Sequence, residues 1–259
     1  MRVKSDDEIQ KMRASGLVLW QAHQKAKQMI GHGVTTQAID QVVEEFILSQ
    51  DAIPLFKGVP GKVPYPAATC ISVNNEIVHG IPSERKLANG DIVSIDIGVR
   101  LEGWCSDAAV TWPVGEISDE KRRLLVETED ALRFAIGQLV VKPRWNLIAK
   151  KMQQRIESCG FSVVEKLMGH GIGQKMWEPP NIPNFFRSRN PDFAIRKGIV
   201  LAIEPMVNMG TKEIFVQSDH WTIVTQDGQP SAHFEHTVAI TDNGPVVLTC
   251  GPDGEGWAM

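Results

Sequence analysis

Four acidic residues of this 259-residue chain lie in or beside apolar segments that are typical of β-strands, where carboxylates are uncommon. Asp96 is in the middle of the segment 92–99, and Asp107 precedes the next apolar segment. Glu204 ends a third segment, and Glu235 lies within a fourth. A single strand acid is most often solvated, but four acids with small or apolar neighbours are hard to explain without a bound cation.

The two aspartates are predicted to share one face of a β-hairpin. Side chains alternate along a strand, which places Asp96 on the face opposite the apolar one. If the turn is centred on Leu101 and Glu102, Asp96 lies directly opposite Asp107, with Cβ atoms about 4.5–5.5 Å apart. Two part-buried carboxylates at that distance repel each other, and a shared proton or a metal ion relieves the repulsion.

Glu235 and one histidine extend this cluster. Alternation along residues 233–240 places Glu235 on the same face as His233 and Thr237. His170 lies in the sequence GHGIG, whose glycines let the backbone and ligands approach the imidazole closely. A phosphate-binding loop is the competing interpretation, but the Gly-Lys-Ser/Thr ending of a P-loop and the strand before a dinucleotide-binding loop are missing.

The donor set indicates which metal ions would bind. Four carboxylates and one imidazole suit Mn, Fe, Co or Zn and do not resemble a thiolate zinc site. That many acids can hold two divalent ions. Two ions about 3.5–4 Å apart can activate a water molecule and polarise a carbonyl group. The predicted chemistry is therefore metal-dependent hydrolysis, and an amide bond fits it.

Helical and strand-like periodicities alternate along the chain. A capping box at residues 5–8 begins a first helix that ends near residue 30, and a second helix begins at Thr35 or Thr36. Further helices are predicted over 119–140 and 146–159. Strands are predicted over 70–73, 92–99, 108–114, 199–206, 214–217, 221–224, 233–240 and 246–248, with a loop over 53–66. This order predicts an α+β fold, with helices on largely antiparallel sheet, in a single domain that spans residues 1–259.

Composition excludes several classes of protein. A net charge of −4 and a pI of about 6.0 give no basic face for nucleic acid. No apolar run of about 18 residues and no signal-like N-terminal segment is present, so no membrane span and a cytoplasmic location are expected. The cysteines form no CxxC pair and are expected to be reduced thiols; they are Cys70, Cys105, Cys159 and Cys250.

Several short motifs together resemble those of the pita-bread metallopeptidases and, within them, of the type I methionine aminopeptidases. They are His79-Gly80, Asp96, Asp107, Gly169-His170-Gly171, Ile203-Glu204-Pro205 and Phe234-Glu235-His236-Thr237. The resemblance extends from about residue 5 to residue 248. It implies the pita-bread fold, in which helices pack on the outer face of a curved antiparallel sheet. The spacing between the motifs resembles the short bacterial type, without an extra N-terminal domain or an inserted helical subdomain.

The resemblance also implies an activity and its partners. The expected enzyme is a methionyl aminopeptidase that removes the N-terminal methionine from peptides and nascent proteins whose second residue is small. It would act as a monomer, and nascent chains would be met at the ribosome. Two divalent ions would be bound. Asp96 would chelate one, Asp107 and Glu235 would bridge both, and His170 and Glu204 would complete the second site.

Substrate-binding roles follow from the same resemblance. Glu204 would relay a proton from water to the leaving amine, and His79 would hydrogen-bond the substrate backbone, so these two residues would be catalytic. The α-amino group of the substrate would bind a metal ion, which restricts cleavage to the first residue. The methionine pocket would be lined by Tyr65, Cys70, Trp177 and Trp221, although packing alone also explains Tyr65 and Trp221.

Trp177 departs from the family pattern because a second active-site histidine is usual at its position. Indole has one donor N–H and cannot accept a proton, so catalysis would be slower or the substrate different. His233, which replaces a usual glutamine, His220 and His236 are candidate substitutes, although each is more often a surface or packed histidine. The alternatives to methionine removal are a divergent exopeptidase with altered specificity or weakened activity, and a non-catalytic relative that binds N-termini or proteins.

Overall fold

A computed structural model of the chain describes residues 2–140, 143–190 and 192–255. The helices in this part confirm the sequence prediction to within about two residues. The capping box is present, since Ser5 accepts from the backbone N–H of Glu8 while the Glu8 carboxylate accepts from that of Ser5. The helices are α1 (Asp6–Met29), α2 (Thr36–Ser49), α3 (Asp119–Gln138) and α4 (Trp145–Ser158).

The strands of the described residues are all paired antiparallel, which confirms the α+β class. They are β1 (Ile53–Pro54), β2 (Thr69–Val73), β3 (Glu76–Val78), β4 (Ile92–Leu101), β5 (Trp104–Pro113), β6 (Ser162–Val163), β7 (Met168–Gly171), β8 (Glu178–Pro183), β9 (Val200–Ile203), β10 (Met206–Asn208), β11 (Ile214–Val216), β12 (Ile223–Thr225), β13 (Ser231–His233), β14 (His236–Thr241) and β15 (Gly244–Val247).

These strands form four sheets. One has the order β1-β4-β2, with β5 also paired to β4, and the longest has the order β15-β14-β9-β7-β8. The two smaller sheets are β13-β10-β6 and β11-β12-β3. The sequence prediction missed β1, β3 and β6 to β8, because these segments are short or rich in Gly and Pro and carry little periodicity.

The register predicted for the β4–β5 hairpin was wrong by two residues. Leu101 pairs with Trp104 around a two-residue turn, so Asp107 lies opposite Gly98 and not opposite Asp96. The cause is the turn itself: Glu102 and Gly103 both have positive φ, 48° and 84°, as a tight type I′ turn requires. A shift of two residues keeps the same face, so the two aspartates are still diagonal neighbours.

The strands predicted over 199–206 and 233–240 are each broken, and the breaks coincide. Ile203 pairs with His236 before the break, and Met206 pairs with His233 after it. The register is the same on both sides, so Glu204 lies opposite Glu235 within the gap. A break in the ladder frees side chains to turn away from the pleat, which suits residues that must converge on one point.

Helices cover one face of the β4 strand. Val93, Ile95, Ile97 and Val99 belong to the main hydrophobic core, and α1 packs on β4 and β5. Each fully buried side chain of this kind contributes about 1.5–3 kcal/mol to folding. The other face of β4 carries Asp96 and is therefore held in place by the helical layer behind it. No helix in the described part of the chain is long and apolar enough to cross a membrane.

Candidate metal centre

One cavity of about 540 Å³ collects the site residues that the sequence predicted. Its walls come from strands of all four sheets and from loops, among them the loop between β1 and β2. Because the strands are distant in sequence, their meeting is a property of the fold and not of any local motif. The predicted residues that line the cavity are Tyr65, Cys70, His79, Asp96, Asp107, His170, Trp177, Glu204, Trp221 and Glu235.

The acids converge on two groups of potential metal-binding atoms. Asp107, His170 and Glu235 form one group, and Glu204, His233 and Glu235 form the other, with all donor atoms in each group within 4.8 Å of one another. Glu235 belongs to both, as a bridging ligand would. Asp96 adjoins the first group through Asp107, whose carboxylate is close enough to influence its pKa.

His170 is oriented by its own strand. Its Nδ1 lies 3.0 Å from the carbonyl oxygen of Gly171, which can only accept, so Nδ1 donates and a neutral ring keeps its lone pair on Nε2. Nε2 lies 3.5 Å from Asp107 Oδ2 and 3.8 Å from Glu204 Oε1. Gly169 permits this approach, since a Cβ there would be 2.3 Å from the carbonyl oxygen of Ala202. An imidazole held this way is ready to bind a cation.

The acids carry more negative charge than a buried site tolerates. Burial, followed by the neighbouring Asp107 and Glu204, raises the pKa of Asp96 well above its usual value. Burial also raises the pKa of Asp107 and takes that of Glu204 to about 8. The pKa of Glu235 is likewise raised, by burial and then by the other acids. Each shift reports a carboxylate whose charge is poorly compensated by the protein alone.

Divalent cations fit this arrangement. Asp96 Oδ1 and Asp107 Oδ1 are buried and have no hydrogen-bond partner among the described residues. Burial alone would lower the pKa of His170, but Asp107 and Glu204 raise it to about 9, so a proton on the ring partly balances the acids. A divalent ion would replace such protons with a larger charge. The oxygen-rich donor set suits Mn, Fe, Co or Zn.

His233 is the one donor of these groups that the sequence did not identify as a ligand. It is 1% exposed, and its Nε2 lies 3.8 Å from Glu204 Oε2 and 3.9 Å from Glu235 Oε2. Burial, and then repulsion from His79, lowers the pKa of His233 to about 3, so the ring is neutral. The signal that could have revealed it is alternation, which places residue 233 on the same face as residue 235.

The other candidate substitutes for the missing histidine lie elsewhere. His220 is exposed, in a turn of positive φ. His236 points away from the acids and its Nδ1 lies 2.8 Å from Thr249 Oγ1, at a separate cavity. Neither histidine lines the cavity that contains the acids.

Aromatic side chains form the apolar wall of the cavity. Tyr65 packs edge-on against Trp221, with ring centres 5.2 Å apart, and against Phe56 at 6.5 Å. The Trp221 indole donates to the carbonyl oxygen of Val63, which fixes the ring. Met176 and Cys70 complete this surface. A wall of flexible sulfur and aromatic groups suits a long apolar side chain.

His79 lies between the acidic and the apolar parts of the cavity. Its backbone is left-handed, with φ of 59°, which is uncommon for a residue other than glycine. Gly80 holds this conformation by donating to Ser72 Oγ and accepting from the N–H of Ile71. Burial lowers the pKa of His79 to about 4, so the imidazole is neutral and can donate or accept a hydrogen bond. Its ring centre lies 6.5 Å from that of Trp221.

Trp177 stands at the mouth of the cavity. Its side chain is 53% exposed, and its ring centre lies 6.4 Å from that of His170. Next to it, the buried Lys4 donates to Glu178, whose carboxylate also accepts from the N–H of Lys175. The segment that carries Trp177 is thereby anchored to the N-terminal residues before α1.

Comparisons with known proteins agree with this geometry. Residues 10–242 match the pattern of metallopeptidase family M24. The chain is 47% identical over 248 residues to a methionine aminopeptidase of Clostridium perfringens, with 95% of this chain and 98% of the relative covered. It is 44% identical over 246 residues to methionine aminopeptidase 1 of Bacillus subtilis, with 95% and 98% covered. The crystal structure of a methionine aminopeptidase from Thermotoga maritima superposes with a TM-score of 0.90 at 40% identity, covering 96% of this chain and 99% of the other. The predicted pita-bread fold is confirmed by this likeness.

Proposed function

The chain belongs to metallopeptidase family M24, and on that premise we propose that its cavity removes the N-terminal methionine from peptides and nascent proteins whose second residue is small. One observation carries the proposal. A cluster of buried acids and an aromatic, sulfur-lined wall face the same cavity. The first suits divalent ions and a positively charged α-amino group, and the second suits a methionine side chain.

The acids would hold two divalent ions. Asp96 would hold one ion, Asp107 and Glu235 would be shared between the two, and His170 and Glu204 would complete the second site. When bound, the ions polarise the scissile carbonyl and lower the pKa of the attacking water. Which of Mn, Fe, Co or Zn is used depends on availability as well as on these ligands.

The protein's own groups then position and protonate the substrate. The negative field of the acids attracts the free α-amino group, which restricts cleavage to the first residue. His79 donates a hydrogen bond to the substrate backbone beside the scissile bond, held by its left-handed conformation. Glu204, next to His170, moves a proton from the attacking water to the leaving amine. Tyr65, Cys70, Trp177 and Trp221 surround the methionine side chain.

The alternatives receive less support. The relatives named methionine aminopeptidase match almost the whole chain, which does not favour a divergent exopeptidase. A non-catalytic binding protein would have no reason to keep so many buried acids at one point, since each costs stability when unpaired.

The setting of the reaction is part of the same proposal. We expect the chain to form one catalytic domain over residues 1–259, to act as a monomer in the cytoplasm, and to meet nascent chains at the ribosome. Light scattering after gel filtration and co-sedimentation with ribosomes test the last two points.

Methionine release from Met-Ala-Ser tests the function directly. We expect turnover with Mn or Co, loss of turnover with a chelator, and little release from Leu-Ala-Ser. Asp107→Asn should remove activity while the fold is retained, as judged by circular dichroism. Absence of methionine release from protein with measured metal content would refute the proposal.

A further inference from the structure

His233 occupies an unusual position for a histidine. It ends β13, where its backbone N–H donates to Thr111 Oγ1 and its carbonyl accepts from the same hydroxyl. These two bonds, 2.8 and 2.9 Å long, fix the backbone, so the direction of the side chain is set by the sheet. The ring points to the gap in which Glu204 and Glu235 lie opposite each other.

Neither ring nitrogen of His233 has a hydrogen-bond partner among the described residues. Other buried histidines of the chain do have partners: His23 Nε2 lies 3.0 Å from the carbonyl oxygen of Ala108, and His236 Nδ1 lies 2.8 Å from Thr249 Oγ1. A buried polar group left without a partner costs about 1–3 kcal/mol. An imidazole at 1% exposure cannot recover this cost by hydrogen bonding to solvent. The simplest explanation is that its partner is a bound group that is not part of the protein chain.

The distances identify what kind of partner fits. Two donor atoms bound to one transition-metal ion at about 2.0–2.2 Å can be no more than about 4.4 Å apart. His233 Nε2 lies 3.8 Å from Glu204 Oε2 and 3.9 Å from Glu235 Oε2, inside that limit but too far for hydrogen bonds. One ion between the three atoms would contact all of them.

We propose that His233 Nε2 is a further ligand of the divalent ion that Glu204 and Glu235 hold. This inference rests on the proposed function, because it assumes that these glutamates bind metal. With His170, that ion would have two imidazole ligands. Nitrogen ligands favour Co, Zn and Fe over Mn, so a site with two imidazoles should be more selective for these ions than one with carboxylates and a single imidazole.

Metal binding by His233→Gln tests the proposal. Glutamine keeps a side chain of similar length and polarity, and His32→Gln is the matched control because His32 is exposed in the turn between α1 and α2. In calorimetric titrations with Co, His233→Gln should weaken binding of one ion at least about 10-fold, and His32→Gln should leave it unchanged.

X-ray absorption of the zinc-loaded protein gives an independent readout. Because the signal averages over both zinc ions, the multiple scattering of imidazole should correspond to two histidines per two zinc ions in the wild type and to one in His233→Gln, whether or not the glutamine oxygen binds. Thermal unfolding of the metal-free variants checks that both are folded. If His233→Gln does not fold, the wild-type count alone decides, since a single imidazole excludes His233 as a ligand.

The possible results separate this inference from the proposed function. Unchanged Co affinity and imidazole count in a folded His233→Gln variant would overturn the role of His233, and methionine release by the same protein would leave the aminopeptidase proposal standing. A wild-type protein that binds no divalent ion would overturn both.

Discussion

Glu204 and Glu235 lie opposite each other in the gap between two antiparallel strand pairs, β9–β14 and β10–β13. The pairs hold the two glutamates close together although Glu235 is buried, Glu204 is largely buried and their charges repel. Burial is the main reason that the pKa of each is raised. The fold thus keeps a repulsive arrangement that a cation would convert into an attractive one.

Metal binding should therefore stabilise the protein measurably. At a free ion concentration of about 100 times Kd, binding adds about 2.7 kcal/mol to the free energy of unfolding. For a chain of this size that corresponds to a rise of about 5–10 °C in Tm. Calorimetric melting curves with Co and with a chelator measure the difference.

Glu235→Gln should abolish most of this stabilisation and also raise the Tm of the metal-free protein, because it removes one of the repelling charges. Glu84→Gln, at an exposed position, should behave like the wild type. A Glu235→Gln variant that still gains the full increase in Tm from Co would contradict the assignment of Glu235 as a ligand.

Replacement of Trp177 is predicted to change the rate of methionine release. Its indole is half-exposed at the mouth of the cavity, near His170, where an imidazole could both donate a hydrogen bond and hold a proton. We expect Trp177→His to raise kcat/KM for Met-Ala-Ser about 10-fold, a modest share of the 10²–10³ that one transition-state donor can supply.

Trp177→Phe is the control, since it keeps an aromatic ring and removes the N–H. A fall in kcat for this variant, with no gain for Trp177→His, would show that the indole N–H already performs the role.

The sequence predicted the parts of the fold that depend on local signals. Helices were predictable because helix caps such as Ser5 and the spacing of apolar residues are local features, each contained in a few consecutive positions of the sequence. The sharing of a face by Asp96 and Asp107 was also predictable, because alternation survives an error of two residues in register. The register itself was not, because it depended on whether the turn is centred before or after Glu102.

Contacts between distant strands could not be read from the residues alone. The opposition of Glu204 and Glu235 depends on how β9 and β10 pair with β13 and β14, and on both ladders breaking at the same place. The position of His233 follows from that break. The proximity of His233 to Glu204 and Glu235 was therefore not predicted, although the sequence placed His233 on the correct face of its strand. The ligand set itself came from a resemblance, and its roles remain a proposal.

Acid should destabilise the protein through His23. Burial lowers the pKa of this histidine from 6.5 to about 4, although its hydrogen bond with the carbonyl of Ala108 raises it in part. The unfolded chain binds the proton more readily, so the stabilisation is complete above pH 6.5 and is lost as the pH falls toward 4. The loss is about 3 kcal/mol, from a shift of about 2.5 pKa units.

The variant His23→Gln isolates this contribution, since glutamine can donate to the same carbonyl but does not titrate. Urea unfolding between pH 7 and 4 should show a weaker dependence of the unfolding free energy on pH in the variant. Equal slopes for the two proteins would assign the acid sensitivity to other groups.

The hydroxyl of Tyr65 is expected to affect the rate of catalysis more than the binding of methionine. The hydroxyl oxygen lies 3.0 Å from the carbonyl oxygen of Thr69 and 2.8 Å from that of Gly80, so the two carbonyls share its single O–H donor. Gly80 follows His79, whose left-handed backbone needs support from its surroundings. Tyr65→Phe keeps the ring against Trp221 but removes this donor, at a cost of about 0.5–1.5 kcal/mol, since the Gly80 carbonyl still accepts from the N–H of Ile71.

We expect Tyr65→Phe to lower kcat for Met-Ala-Ser about 10-fold with little change in KM, because a small displacement of His79 misplaces its hydrogen bond to the substrate. Trp221→Phe is the comparison: it loses the bond to the Val63 carbonyl and part of the apolar wall, so KM should rise more than kcat falls. Steady-state kinetics of both variants, with melting curves to confirm folding, give the two parameters separately. Were Tyr65→Phe to raise KM and leave kcat intact, the hydroxyl would have no part in holding His79.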